Sequence, residues 1–156
     1  MITAKIPIKL SPLNIWDNKF YIIVFFTEYC GVDLINVTRE SPGSIRTLPH
    51  YYYALNLDCI WHVNLIGDDE TDGFLVLNFV GADFAIHPTD LLTINYRYND
   101  SLDNPVMKLN GQNRPKSFTI NSTSLLVHFV SDDVSKMAGF QLEIHYSETF
   151  GKTKYL

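Results

Sequence analysis

A chain of 156 residues with 46% hydrophobic and 19% charged side chains is long enough for one substantial core and too apolar for disorder. Its formal net charge of −5 comes with no cluster of Lys and Arg to meet phosphates, which argues against a nucleic-acid partner. No apolar run approaches the roughly 20 residues that a membrane-spanning helix needs.

Residues 1–29 read as an N-terminal arm, with Pro7 and Pro12 discouraging regular structure in its first part. The run Phe20–Phe26 after Lys19 has two readings. It is β-branched and aromatic throughout, which suits an extra strand. It is also a degenerate secretory signal segment, although it follows Asp17 and lacks an Ala-x-Ala-type exit. A third reading puts the true start upstream and makes the chain a piece of a longer protein. From Phe20 onward short strands alternate with turn residues, and no 3.6-residue period is sustained over a helix length.

Ser41-Pro42-Gly43 is a turn by composition. Tyr51, Tyr52 and Tyr53 lead into the strand Asp58–Leu65, around which the rest is expected to pack. At period two, Trp61, Val63 and Leu65 share a core face, and Ile60, His62 and Asn64 face the other way. Gly67 to Gly73 is a polar hairpin or loop, followed by strands at Phe74–Phe79 and Leu91–Tyr96. Tyr98 to Pro105 reads as a surface loop. Further on, Leu125, Val127 and Phe129 alternate with Leu126, His128 and Val130. Phe140, Leu142, Ile144 and Tyr146 alternate with Gln141, Glu143 and His145. Such spacing indicates an all-β antiparallel sandwich or barrel, with neither repeats nor an internal linker.

Little of the chemistry points to catalysis. Cys30 and Cys59 are the only two cysteines. They form either a bridge onto the Trp61 strand or two buried thiols, the default for an intracellular enzyme. Sequons at Asn36, Asn99 and Asn121 tilt the choice toward an oxidising, extracellular setting. His62, His128 and His145 alternate against core faces and should point outward on separate strands, so a zinc site is not expected. No Gly-x-Ser-x-Gly turn offers a nucleophile, and the cysteines have no identifiable His partner. The Tyr51–Tyr53 cluster is read as half buried rather than as a carbohydrate surface. Asp68, Asp69, Glu70 and Asp72 are read as a solvated hairpin tip.

The landmarks Cys30-Gly31, Glu40-Ser41-Pro42-Gly43, Leu57-Asp58-Cys59-Ile60-Trp61 and Leu77-Asn78-Phe79 stand in that order. Asp90-Leu91-Leu92-Thr93-Ile94, Leu109-Asn110-Gly111, Phe129-Val130-Ser131-Asp132 and Gly139-Phe140 follow. In this order the chain resembles a CUB domain from about Cys30 to Tyr146. The resemblance implies a jelly-roll-like antiparallel sandwich of two sheets, over residues 30–147, with 148–156 as a C-terminal tail. It also implies that Cys30 and Cys59 form the first of the family's two disulfides. The second is absent, with His87 and Asn110 near its positions, so this is a divergent member.

Many CUB domains bind calcium through a Tyr, a Glu and two Asp, and the loops so ordered receive a Lys of the partner. Carried over, these are Tyr53, Asp90 and Asp132, while the Glu position holds Ala85. Asp83 and Asp133 are nearby acids that could reach in. The resemblance therefore implies an extracellular, non-enzymatic module that binds a protein through loops at one end, with Asp90 and Asp132 capturing a Lys or Arg. The alternatives are an accessory module of a larger secreted or membrane-bound protease and a carbohydrate-binding sandwich.

Overall fold

The structure, a computed structural model, describes residues 30–47, 52–67, 73–96, 105–112, 115–134 and 137–149. The arm, Tyr51, the acids of 68–72, most of the 98–105 loop and the end of the tail lie outside these residues. Among the described residues nine strands form two sheets. They are β1 Leu34–Val37, β2 Gly43–Arg46, β3 Asp58–Leu65, β4 Phe74–Ala85 and β5 Leu91–Tyr96. β6 Met107–Leu109, β7 Phe118–Ile120, β8 Ser124–Val130 and β9 Gly139–Ser147 complete the set. One sheet runs β1-β3-β8-β5-β6 and the other β2-β9-β4-β7, so most successive strands cross between layers as in a jelly roll. All pairings are antiparallel except β1 with β3.

The core lies between the sheets and follows the period-two pattern. Trp61, Val63 and Leu65 are buried from β3, as are Leu125, Val127 and Phe129 from β8 and Phe140, Leu142 and Ile144 from β9. The Trp61 ring stands edge-on to Phe140, centroids 6.2 Å apart, and its Nε1 donates to the Cys30 carbonyl at 2.7 Å. The Cys30–Cys59 disulfide, Cα atoms 5.4 Å apart, fastens the same residue to the same strand. Two independent ties thus fix the entry of the domain to its central strand.

Two elements differ from the sequence reading. The 67–73 connection is not a hairpin, because β3 and β4 lie in opposite sheets. Polar residues between two strands mark a turn but not whether the chain pairs or crosses. Gly43, read as part of a turn, opens β2 instead. A Cβ there would lie 2.5 Å from Ile35 Cγ2, so glycine lets β2 pass close over β1.

Candidate functional site

Register decides which loops meet. Asp58 at the start of β3 pairs with Val130 at the end of β8, which pairs with Leu91 at the start of β5. The loop before β3, the turn before β5 and the loop after β8 therefore emerge together at one end of the sandwich. Backbone bonds seal them, from Asn56 N to Asp132 O at 2.9 Å and from Tyr53 N to Met137 O at 3.0 Å. Ser131 adds a clamp, its Oγ accepting from Leu57 N at 2.9 Å and donating to Ala54 O at 3.0 Å.

Beneath these loops a chain of polar groups runs from core to surface. Tyr53 is buried with its ring edge against Phe129, centroids 5.1 Å apart. Its hydroxyl donates to Asp90 Oδ2 and accepts from the His87 amide at 2.9 Å. Asp90, only 1% exposed, takes the Asp132 amide on Oδ1 at 2.8 Å. Asp132 in turn accepts from Val134 N on Oδ1 at 2.8 Å and from the Thr89 hydroxyl on Oδ2. Thr89 Oγ1 lies 2.8 Å from His87 Nδ1, and the turn closes with Asp90 N donating to His87 O at 3.0 Å.

Burial first, and then the bond to Asp90, push the Tyr53 phenol well above its ordinary 10.0, so it stays a donor. The Thr89 hydroxyl first, and then the Val134 amide, hold the Asp132 carboxyl below its ordinary 3.8.

Tyr53, Asp90 and Asp132, singled out from the sequence, do come together here. The side chain of Asp83, in the irregular stretch between Val80 and Ala85, is outside the described set, and Asp133 is exposed on the β8 loop. A direct contact of Asp90 with a partner's Lys or Arg needs correction, because a carboxyl 1% exposed with both oxygens engaged is out of reach. The sequence reading missed His87 and Thr89 as members of the site. The order His-Pro-Thr-Asp at 87–90, with turn formers between a His and an Asp, was the available signal.

The ligand atoms of His87, Asp90 and Asp132 lie within 4.8 Å of one another. Calcium, however, takes six to eight oxygens. All four carboxylate oxygens here already accept an N–H or O–H. Ala85 supplies no side-chain oxygen, Tyr53 is a protonated donor, and the third group is an imidazole nitrogen, a ligand suited to softer metals. Among the described residues this donor set does not fit calcium.

The other candidates separate. His62 and His128 lie on the five-stranded sheet and His145 on the other. His128 Nε2 meets Asp58 Oδ1 at 2.7 Å, and His145 Nε2 meets Glu143 Oε2 at 3.4 Å. Of the tyrosine cluster, Tyr51 lies outside the described residues, Tyr52 is exposed and Tyr53 is buried, so the two described rings share no exposed aromatic surface. Asn36 and Asn121 are exposed, and Asn99 lies outside the described residues.

The sequence profile described as CUB domain matches residues 30–144. The chain belongs to the CUB family. No curated protein matches it significantly. The MASP-1 CUB2 domain bound to Ca2+ superposes with a TM-score of 0.59 at 19% identity, over 74% of this chain and 99% of that one. The CUB1-EGF-CUB2 portion of human MASP-1/3 gives 0.59 at 21% identity, over 76% of this chain and 42% of that one. The extracellular region of zebrafish Gpr126/Adgrg6 gives 0.57 at 15% identity, over 75% of this chain and 15% of that one. At these identities the likeness shows the fold. CUB domains are generally non-catalytic interaction modules of extracellular proteins and ectodomains.

Proposed function

We propose that this CUB domain is an extracellular module that binds a protein partner through the loop end carrying Tyr52, Asp133 and Val134. One observation carries the reading: Tyr52 and Val134 are 60% and 66% exposed on loops fastened to the buried polar chain beneath them. An exposed aromatic and an exposed aliphatic on a rigid base offer contact area at little ordering cost. Asp133, exposed and standing between Asp132 and Val134 in the sequence, supplies a carboxylate for a Lys or Arg of the partner, the role first expected of Asp90 and Asp132. Those two residues position the loops. The test displays the secreted chain against a panel of purified ectodomains beside Tyr52→Ala/Asp133→Arg/Val134→Asp. Binding lost in the triple variant supports the reading, and binding retained in it overturns it.

A further inference from the structure

We infer that this domain holds its loop end together without calcium, through a side-chain network that replaces both the cation and the family's second disulfide. The three departures from the family pattern, Ala85, His87 and Asn110, fall together around one turn. Ile86 bridges Gly111, its amide donating to the Gly111 carbonyl at 2.8 Å, which sets His87 and Asn110 side by side on the two segments. Where a sulfur bridge would have joined these segments, Asn110 Nδ2 donates to Pro88 O at 3.0 Å. His87, released from any crosslink, turns its Nδ1 to Thr89 Oγ1, which donates to Asp132.

A calcium ion in such a place would do two things: draw the acids of neighbouring loops together and neutralise their charge. Here the drawing together is done by donors. Tyr53 OH and Asp132 N–H hold Asp90, while Thr89 OH and Val134 N–H hold Asp132, so each acid is fixed to a loop other than its own or to its own turn. Each of the four carboxylate oxygens has one lone pair engaged by a donor, and Ala85 adds no side-chain oxygen toward the six to eight that calcium takes.

The test compares thermal unfolding of the full chain in millimolar calcium and in excess EDTA, with calcium as the only added ligand. The two midpoints coincide if the inference holds, whereas a site holding calcium at a hundredfold excess over its Kd would raise the midpoint by roughly 8 °C. His87→Ala and Asn110→Ala each lower the midpoint by about 3–6 °C, equally with and without calcium. A calcium-dependent rise in the unaltered chain overturns the inference, as does either variant melting with the unaltered chain. Should a variant fail to fold, the calcium comparison on the unaltered chain still decides. No partner enters the assay, so its failure is distinct from a failure of the binding reading.

Discussion

Tyr53→Phe removes one oxygen atom from the middle of the polar chain and leaves the packing in place. The ring keeps its edge contact with Phe129, 5.1 Å between centroids, so no cavity larger than a hydroxyl opens. Two groups lose a partner: Oδ2 of the buried Asp90, and the His87 amide that the hydroxyl accepts at 2.9 Å. A buried polar group left unpaired costs about 1–3 kcal/mol. With Asp90 fully enclosed and His87 only partly so, the combined loss is roughly 3 kcal/mol. In urea this is a fall in midpoint at unchanged slope, because the surface exposed on unfolding is the same. Heating should show it as a drop of about 10 °C. A loss below about 1 kcal/mol would mean that the hydroxyl does not sustain the loop end, and the reading of Asp90 as a positioning residue would go with it.

Other outcomes follow from the same geometry. The folded-state pKa of Asp132 lies below its unfolded 3.8, so its contribution to stability is present above that pH and drains away as pH falls below it. Thr89→Val removes the largest cause, and its stability, measured by urea titration from pH 6 to pH 2, should therefore fall less steeply in acid. Tyr53 works in the opposite direction: its raised folded pKa favours the fold below pH 10.0 and costs stability above it as the unfolded chain ionises. Tyr53→Phe should accordingly flatten the alkaline limb of the stability profile. Cys30→Ser/Cys59→Ser opens a loop whose ends are 29 residues apart and should cost roughly 3–4 kcal/mol in urea unfolding. At Gly139 the backbone has φ 87° and an added Cβ would lie 2.9 Å from Thr47 Cβ. Gly139→Ala should therefore lower stability by about 1–3 kcal/mol, measured the same way. Peptide mapping of the chain made in a secretory host should find glycans on the exposed Asn36 and Asn121.

The core was legible because alternation carries it. Trp61, Val63 and Leu65 face inward and Ile60 outward, as period two requires. The short β1, β2, β6 and β7 were not read as strands. Three or four residues span barely one repeat of the pattern, and their pairing is set by the longer neighbours β3, β9, β5 and β4. One outward position misleads in the other direction: Leu126 is buried although it alternates against Leu125 and Val127. Alternation names a face and says nothing of whether that face is covered.

At the loop end the resemblance located Tyr53, Asp90 and Asp132, but not what each does. Their roles depend on burial and on donors from other segments. Asp90 reads as a ligand or partner contact until Tyr53 and the Asp132 amide are seen on its two oxygens. His-Pro-Thr-Asp at 87–90 marks a turn, but the contacts of Thr89 with Asp132 and of Asn110 with Pro88 join segments 43 and 22 residues apart, which no local pattern encodes.

Hydrogen bonds of Tyr53, Asp90 and the Asp132 backbone tie the loop end to the sandwich. Amide hydrogen exchange followed by NMR reads this most directly, at the N–H groups of His87, Asp132 and Asn56. These donate to Tyr53 Oη, Asp90 Oδ1 and Asp132 O respectively. Slow exchange at all three, comparable with the amides of β3 and β8 and unchanged by EDTA, is the expected result. Rapid exchange at these amides in a folded domain, or protection that arrives only with calcium, would contradict it.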